Sequence, residues 1–372
     1  MQITIGILAK RHEVSPPFGA QTVFFEEMVR ETQNLPVDIL VFSPEGWRKD
    51  QFEINAFSFE ESGWVCTKVD IPKIIYDRFI SETHEEESIK LFRQFLKTNN
   101  FHLSTPLDLV KLLSNKLKFY EFLRDAELPT VNSVLLRDIS EETIKHFLND
   151  GKAVYLKPIS GLKGNGIAVL EQKSSNLYIL HFKSEEVIHA TDINLIETLK
   201  NRFDPDSYIV QPKAKVADFN DSPFDVRVLV QNHGNKNYLV TGMGVRIGKI
   251  NSWVTNLSSG SKAISIYELR EFYQDRYERD VDSEVSNIES ICLECCQKLH
   301  EKFGNFSEIG IDVLLTLDQG PVILEGNSKP GRWIFNQIAN SYLSNSEDFV
   351  KYKAIRSASV KLPVRFILNN KF

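Results

Sequence analysis

The 372-residue sequence predicts an α/β protein that consists of three successive units. Three observations lead to this prediction. Short apolar segments alternate with amphipathic segments over residues 1–104, as expected of an open α/β sheet. A glycine-rich loop lies between two apolar segments in residues 105–203, and two closely spaced strands carry acidic side chains within residues 204–372. The chain is long enough for two or three domains.

The overall composition is that of a globular protein. Hydrophobic residues make up 42% of the chain and charged residues 25%. The formal net charge of −6 gives no general attraction to nucleic acids, and no apolar run is long enough to span a membrane. The first residues lack the basic segment and long apolar core of a secretion signal. We therefore expect a cytoplasmic protein whose partners include neither a nucleic acid nor a membrane.

Three of the four cysteines lie close together in the sequence, at Cys292, Cys295 and Cys296. With His300 they could be read as a metal site. However, residues 286–303 have helical periodicity, which places the three cysteines on one face of a helix. Zinc ligands are usually gathered from a turn or from separate segments, so we favour buried cysteines that act as small hydrophobic residues. This usage fits a reducing compartment.

Residues 1–104 are predicted to form an N-terminal α/β domain. The predicted strands are 3–8, 37–42, 57–59, 63–69 and 74–78, and the predicted helices are 22–32 and 83–98. Ligands of open α/β sheets bind beyond the carboxyl ends of the strands. Arg78 lies at such an end, and the loop with Gly19 and Gln21 follows the first strand, so these residues are candidates for contacting a substrate. The alternative is a surface ion pair of Asp77 with Arg78, and a glycine that only begins a helix.

The second unit contains the glycine-rich loop. The loop residues of interest are Ser160, Gly161, Gly164, Asn165 and Gly166. They lie between predicted strands at 153–158 and 168–171, and this arrangement excludes a P-loop and a Rossmann turn, in which a helix follows the glycines. Glycines between strands let backbone N–H groups approach phosphate oxygens, and Lys157 can add a positive charge. The alternative is a flexible hairpin turn. A helix predicted over residues 108–124 carries Lys116.

Two arginines characterise the first part of the third unit. A predicted strand at 224–230 alternates so that Asp225 and Arg227 share one face, and Arg246 ends the next strand. Arginines on adjacent strands suit a phosphate group, because the guanidinium fork binds oxygen atoms in pairs. Simple pairing with neighbouring acids is the alternative.

A hairpin predicted over residues 308–327 carries the acidic residues. Asp312 points away from the apolar face of its strand, and Glu325 and Asn327 share one face of the second strand. An even, two-residue loop at Gln319 and Gly320 would place Asp312 opposite Asn327 and diagonal to Glu325, whereas a three-residue loop would send the acids to opposite faces. We therefore expect the even loop, and with it a Mg²⁺ site of two carboxylates and an amide oxygen.

The order of these motifs resembles the ATP-grasp fold. The residues that carry the resemblance are Lys116, Lys157, Gln211, Arg227, Arg246, Asn256, Asp312, Glu325 and Asn327. The segments Phe-Asp-Val-Arg-Val-Leu-Val-Gln, Val-Arg-Ile-Gly and Glu-Gly-Asn-Ser-Lys-Pro-Gly resemble more closely the YheC/YheD-type ATP-grasp proteins, which are named as endospore coat-associated. The resemblance implies an N-terminal pre-ATP-grasp domain (1–104) and two ATP-grasp lobes (105–203 and 204–372), the second with the metal hairpin.

The resemblance also implies the role of each site residue. ATP would contact Lys116, Lys157, the loop residues Ser160, Gly161, Gly164, Asn165 and Gly166, and the segment with Gln211, Pro212 and Ala214. Mg²⁺ would be held by Asp312, Glu325 and Asn327. Arg227 and Arg246 would stabilise the transferred phosphoryl group, and Asn256 would border the acceptor site. Pro212 stands where many relatives have Glu, and Ser261 replaces a glycine, so the adenine and acceptor details depart from the family pattern.

Three functions are compatible with this resemblance. The first is a ligase that joins a carboxylate to an amine through an acyl phosphate, with release of ADP and phosphate. The second is a nucleotide-binding protein of spore-coat assembly that does not turn over. The third is a ligase that crosslinks side chains of a peptide. The combination of metal ligands and phosphate-binding arginines favours an enzyme, because a scaffold requires neither.

Overall fold

The computed structural model contains three β-sheets, each with helices packed against it. The described residues are 2–49, 51–80, 87–151, 153–161, 164–174, 177–182, 187–191, 194–234, 236–250, 255 and 261–370. Among these residues, no helix is both long and apolar enough to cross a membrane. The predicted α/β class is confirmed.

The first sheet has the strand order β4-β3-β2-β1-β5-β6. Its elements are β1 (Ile3–Leu8), α1 (Thr22–Thr32), β2 (Val37–Phe42), β3 (Glu53–Glu60), β4 (Gly63–Asp70), β5 (Ile74–Asp77), α2 (Glu87–Thr98) and β6 (His102–Leu103). Strand β1 is parallel to β2 and β5, so the carboxyl ends of these buried strands meet at one edge. Apolar side chains of α1 cover one face of the sheet, and those of α2 cover the other.

The second sheet has the order β11-β10-β9-β8-β12-β7. Its strands are β7 (Val134–Leu135), β8 (Ala153–Pro158), β9 (Ala168–Ser174), β10 (Leu177–Phe182), β11 (Val187–Ala190) and β12 (Tyr208–Pro212). The helices of this region are α3 (Leu107–Leu113), α4 (Lys116–Asp125), α5 (Glu141–Gly151) and α6 (Leu195–Arg202). Strand β12 completes this sheet although it follows residue 203. The division at residues 104 and 203 stays a prediction.

The third sheet contains β16-β15-β14-β17-β18, with β13 paired to β14. Its strands are β13 (Asp218–Phe219), β14 (Ser222–Asn232), β15 (Tyr238–Ile247), β16 (Lys262–Ile264), β17 (Glu308–Thr316) and β18 (Gly320–Asn327). The helices that accompany it are α7 (Arg270–Tyr277), α8 (Val281–Phe303), α9 (Trp333–Asn340) and α10 (Glu347–Asn369). The last helix returns to the first sheet and packs there beside α1.

The cysteines of α8 are buried against the third sheet. Cys292, Cys295 and Cys296 are all fully buried and unpaired, as the helical periodicity predicts. The described residues contain no group of three or more histidine, cysteine or acidic side chains that could hold a metal ion. These thiols therefore belong to the hydrophobic core.

The helix predicted over residues 108–124 is wrong in one respect, because the structure breaks it into α3 and α4. Asn115 has an extended backbone, and its side-chain oxygen accepts a hydrogen bond of 2.9 Å from the Lys118 N–H, which begins a new helix. Asparagine competes with helical hydrogen bonds in this way and is favoured at helix starts. The break places Lys116 in the first turn of α4, where its N–H donates to the Ile159 carbonyl.

The chain passes between the second sheet and the third at two places, which we call the first and the second crossing. Residues at both crossings form hydrogen bonds with the β17–β18 hairpin. At the first crossing, the Ile323 N–H donates to the Pro129 carbonyl, and the Thr130 hydroxyl donates to the Ile323 carbonyl at 2.9 Å. At the second crossing, the Ala217 N–H donates to the Leu315 carbonyl at 2.9 Å. The hairpin therefore lies where the two sheets are joined.

Candidate functional site

A cavity of about 910 Å³ lies between the second and third sheets. Many of the predicted site residues line it: Lys116, Lys157, Gly161, Gly164, Asn165, Gln211, Pro212, Ala214, Arg227, Arg246, Glu325 and Asn327. Asp312 is fully buried directly beneath the arginines, and Ser160 and Gly166 lie in the same glycine loop. Asn256 lies outside the described residues. The structure therefore brings one cluster of predicted residues together from both sheets.

The predicted geometry of the hairpin is wrong, although the acids do share a face. The connection between β17 and β18 has three residues, 317–319, not two. A register shift after Asp312 compensates: Val313 pairs with Ile323, but Asp312 pairs with Glu325, which leaves Leu324 as an extra residue in β18. One inserted residue reverses which face the following side chains occupy. Glu325 therefore lies directly opposite Asp312, and Asn327, paired with Gly310, takes the diagonal position.

Two arginines surround the Asp312 carboxylate. Arg227 lies directly across the ladder from Asp312, and both its Nε and its Nη2 donate to the carboxylate, the latter at 3.0 Å. Arg246 lies opposite Asp225, to which it donates at 2.6 and 2.7 Å, and its Nη2 is also 2.9 Å from Asp312 Oδ2. Thr255 donates to Asp225 from the other side. The row of charges follows from the alternation of side chains on antiparallel strands.

The two hairpin acids have opposite pKa shifts. Burial alone would raise the pKa of Asp312, but the guanidinium groups of Arg227 and Arg246 lower it below its usual range. Burial raises the pKa of Glu325, and the charge of Asp312 raises it further, while two lysines partly oppose the shift. Glu325 is thus the carboxylate that lacks a strong cationic partner, which is the position that a bound cation would fill.

The two lysines face the hairpin from the other side of the cavity. Lys116 Nζ lies 4.0 Å from Glu325 Oε2 and donates to the Gly161 carbonyl at 3.2 Å. Lys157 Nζ lies 5.1 Å from the centre of the Tyr155 ring. Burial lowers the pKa of Lys157 to about 8, although Glu325 favours its charged form. A half-buried ammonium group with so little compensation would be stabilised by an anionic ligand.

The glycine loop needs its glycines for conformation and for space. Gly164 and Gly166 have φ values of +72° and +75°, a region that residues with a side chain rarely adopt. A Cβ atom at Gly166 would also lie 2.9 Å from Pro158 Cγ and 3.1 Å from the Tyr208 hydroxyl. The loop therefore folds tightly over the end of β8, where Lys157 is located.

The segment 211–214 lines the far end of the cavity. The Gln211 amide donates to the Ser133 hydroxyl at 2.6 Å, and its oxygen Oε1 is buried with no hydrogen-bond partner in the described part of the chain. Asp218 also lines this end; its carboxylate accepts from the Tyr277 hydroxyl at 3.1 Å and from Arg276 at 3.2 Å. Polar groups of this kind suit the base and sugar of a nucleotide better than its phosphates.

The three candidate substrate residues do not line the cavity. Arg78 is buried rather than on the surface, so the surface ion pair considered as its alternative is also wrong. It forms an ion pair with Glu308 at 3.3 Å and donates to the Pro330 carbonyl at 3.1 Å. Gln21 donates to the carbonyl of Arg78, and a Cβ at Gly19 would meet the His12 ring at 3.0 Å. Arg78 connects the first sheet to the third, whereas Gln21 and Gly19 contact residues of the N-terminal unit. The proposed contact of these three residues with a substrate has no support in this geometry.

Sequence reasoning missed the cavity residues at the end away from segment 211–214. Ile80, Lys329 and Trp333 line this end. Lys329 lies two residues after Asn327, in the loop that follows the hairpin. This closeness to a predicted metal ligand was the sequence signal that could have identified it as a cavity residue. Ile80 follows β5, and sequence alone did not show that the end of this strand reaches the cavity.

The hairpin residues have the chemistry of a Mg²⁺ site. Glu325 lines the cavity with a carboxylate that lacks a strong cationic partner. Asp312 lies opposite it on the neighbouring strand, with both carboxylate oxygens bonded to Arg227 and Arg246. The Asn327 amide lines the cavity, and its Nδ2 atom is buried without a hydrogen-bond partner among the described residues. Hard oxygen ligands with one or two carboxylates are those that Mg²⁺ prefers. The residues present therefore fit this ion.

Sequence comparisons identify relatives of the chain. A family described as "YheC/D like ATP-grasp" matches residues 110–354. The endospore coat-associated protein YheD of Bacillus subtilis (strain 168) is 24% identical over 346 residues, which cover 89% of this chain and 73% of that protein. The endospore coat-associated protein YheC of the same organism is 23% identical over 345 residues, which cover 89% of each chain.

Structural comparisons agree on the fold. A D-alanyl-alanine synthetase A from Vibrio cholerae has a TM-score of 0.54 at 11% identity, with 96% of this chain and 99% of that chain covered. The VanG D-Ala:D-Ser ligase from Enterococcus faecalis has a TM-score of 0.54 at 12% identity, with 98% and 99% covered. At these identities the likeness shows the fold alone, and it agrees with the ATP-grasp family that the sequence comparison identifies.

Proposed function

Because this chain belongs to the YheC/D-like ATP-grasp family, we propose that it is an ATP-dependent ligase that joins a carboxylate to an amine. One observation carries the proposal. Asp312 and Glu325 face each other on the hairpin, with two arginines beside Asp312 and two lysines across the cavity from Glu325. A site for nucleotide binding alone has little need of buried arginines held beside the metal ligands.

The nucleotide would extend along the cavity from segment 211–214 to the hairpin. Gln211, Pro212 and Ala214 would border the adenine ring, and Asp218 is the acid nearest to where the sugar would lie. Lys116 and Lys157 would bind phosphate oxygens. The loop residues Ser160, Gly161, Gly164, Asn165 and Gly166 would close over the same phosphates. The lowered pKa of Lys157 supports this role, because a phosphate would supply the missing negative charge.

Asp312, Glu325 and Asn327 are the residues that would hold Mg²⁺. The ion would neutralise charge on the outer phosphate oxygens. Arg227 and Arg246 lie on the strands next to these ligands, which suits stabilisation of the phosphoryl group during transfer. Asn256 would border the acceptor site.

The proposed reaction has two steps. An oxygen atom of the substrate carboxylate attacks the terminal phosphorus of ATP, and the bond from that phosphorus to ADP breaks, which gives an acyl phosphate and ADP. The amine nitrogen then attacks the acyl carbon, inorganic phosphate leaves, and the nitrogen loses a proton, which gives the amide. The substrate class that we propose is an amino acid or a peptide-like compound, and the cytoplasm is the proposed location because it supplies ATP.

A second candidate function is a nucleotide-binding assembly protein without turnover. It rests on the names of YheC and YheD, which describe those two relatives as endospore coat-associated. A ligase that crosslinks peptide side chains would use the same residues as the first proposal and would differ only in its substrate.

Two measurements test the proposal. Calorimetry with Mg-ATP examines binding, and ADP release over a panel of carboxylates and amines examines turnover. Hydroxylamine is included to trap an acyl phosphate as a hydroxamate. The ligase proposal predicts ADP and hydroxamate with at least one carboxylate. Binding of Mg-ATP without turnover across the panel would favour the assembly protein, and absence of nucleotide binding would contradict both.

A further inference from the structure

The cavity continues past the hairpin to an end that the nucleotide contacts do not use. Residues Ile80, Lys329, Gly331, Trp333 and Ile334 line this end. They come from the segment after β5, from the loop after β18 and from the start of α9. Ligand cavities usually have volumes of about 300–1,000 Å³, so a cavity of 910 Å³ is at the upper end of this range. This end is available to a second compound.

Lys329 has a hydrogen-bond donor to spare at this end. Its side chain is 13% exposed. Its Nζ donates to the Phe79 carbonyl at 2.8 Å and lies 3.4 Å from Asp77 Oδ1. An ammonium group has three N–H donors, and the contacts with described residues use two of them. No residue in the part of the chain that the structure describes accepts from the third donor, which can therefore bind a group inside the cavity.

The carboxylate nearest to Lys329 is shared with an arginine. This carboxylate, of Asp77, already accepts from Arg93 through both oxygens, at 2.9 and 3.1 Å, and from the Phe79 N–H at 3.0 Å. Arg93 contacts Asp77 through two nitrogen atoms and is therefore its stronger partner. Lys329 lies farther from Asp77, at 3.4 Å, and is the second cation that shares this carboxylate.

Apolar surface lies beside this ammonium group. Trp333 lines this end of the cavity and is 57% exposed. Ile80 lines the same end and is half-buried, whereas Ile334, which also lines it, is almost fully buried. Exposed tryptophan rings in a cavity supply a large, rigid contact surface for a ligand. The end of the cavity thus combines one anion-binding group with a neighbouring apolar surface.

We propose that Lys329 and Trp333 form the binding site for the carboxylate substrate, with Lys329 bound to a carboxylate oxygen and Trp333 packed against an apolar side chain. The inference rests on the proposed function, since it names the substrate class of the same cavity: an amino acid or peptide with an apolar side chain next to its carboxylate. Phosphate and sugar ligands fit less well, because they would not use the tryptophan and isoleucine surfaces.

The test compares acids with their own amides. N-acetyl-leucine and N-acetyl-phenylalanine, and the two corresponding amides, are titrated into the full-length protein by calorimetry, with and without Mg²⁺ and a non-hydrolysable ATP analogue. The site predicts that at least one acid binds and that its amide binds about tenfold or more weakly, because a charge-assisted hydrogen bond is lost. Equal affinity for acid and amide would overturn the inference, as would absence of binding by both acids.

Variants separate recognition from a structural role. Lys329→Met should weaken acid binding about tenfold or more and should leave the affinity for the amide unchanged, whereas Lys329→Arg should retain most of the acid affinity. Trp333→Ala should weaken both acid and amide. Lys298→Met and Leu343→Ala, at exposed positions, are the matched controls. A Lys329→Met protein with a lower melting temperature but unchanged acid affinity would show a structural role only and would overturn the inference.

Failure of this inference is distinguishable from failure of the proposed function. If the protein binds the ATP analogue but neither acid, only the substrate site is wrong. If it binds no nucleotide, the proposed function fails, and the titrations without nucleotide still decide the substrate site. If Lys329→Met does not fold, Trp333→Ala and the comparison of acid with amide decide it.

Discussion

Asp312 and Glu325 lie directly opposite each other on the β17–β18 hairpin, although the connection between the strands has an odd number of residues. The register shift that leaves Leu324 unpaired restores the shared face. The same pairing continues across the sheet, where Arg227 lies opposite Asp312 and Arg246 lies opposite Asp225. The arrangement predicts that replacement of Glu325 or of Arg227 impairs turnover.

Glu325→Gln should abolish most turnover without weakening the fold. The substitution removes a metal ligand and a charge, so ADP release should fall by at least about tenfold. The free energy of unfolding should stay unchanged or rise, because burial and the Asp312 charge disfavour the ionised form of Glu325. ADP assays and urea denaturation measure the two quantities. Asp318→Asn, at an exposed position in the same hairpin, is the control, and unchanged turnover of folded Glu325→Gln would contradict the assignment.

Arg227→Lys should impair turnover although it retains the charge. The guanidinium group of Arg227 contacts Asp312 through two nitrogen atoms, and lysine cannot reproduce this planar fork. We expect turnover to fall by at least about tenfold. Steady-state ADP release measures the effect, with Arg270→Lys as the control because Arg270 is in an exposed ion pair with Asp282. Equal rates for wild type and Arg227→Lys would show that charge alone suffices.

Part of this site could be predicted from sequence, because some of its features depend only on neighbouring residues within one strand. Alternation of side chains along a strand is independent of the rest of the fold, so the shared face of Asp225 and Arg227 followed directly from the sequence. The unpaired position of Leu324 could not be predicted from sequence. Its neighbour Ile323 forms hydrogen bonds with Pro129 and Thr130, which are almost 200 residues away in the chain.

The burial of Arg78 shows the same limit of sequence reasoning. Its partner Glu308 is 230 residues away, on a strand of another sheet, and no local pattern reports such a contact. The bounds of a single strand or helix are easier to predict from sequence. For example, the strand predicted at 153–158 matches β8. Packing between sheets decided where each of the predicted charges lies relative to the cavity.

Gly326→Ala should destabilise the protein. A Cβ atom at Gly326 would lie 2.7 Å from Leu113 Cδ2 and 3.0 Å from Phe119 Cζ, both of them buried in the helices beside Lys116. Overpacking of this kind costs about 1–3 kcal/mol. Urea denaturation measures the loss. Gly331→Ala is the matched control, because a Cβ there meets nothing within 4 Å. Equal stability of the two variants would contradict the close packing of the helices on the hairpin.

Nucleotide binding should take up protons near pH 8. Burial lowers the pKa of Lys157 to about 8, and a bound phosphate would favour its charged form and raise that pKa. The affinity for Mg-ATP should therefore fall as the pH rises through about 8. Calorimetry at this pH, in two buffers that differ in ionisation enthalpy, measures the uptake. Lys157→Met should abolish it, and a heat of binding that is independent of the buffer would contradict a phosphate contact.

The most direct test of the account follows one oxygen atom from the substrate to the phosphate product. A carboxylate substrate labelled with ¹⁸O in both carboxyl oxygens is turned over with ATP and its amine, and the nucleotide and inorganic phosphate are analysed by chromatography and mass spectrometry. An acyl phosphate predicts ADP, together with inorganic phosphate that carries one ¹⁸O atom from the carboxylate. Release of AMP and pyrophosphate, or of inorganic phosphate without the label, would contradict the proposed ligase mechanism.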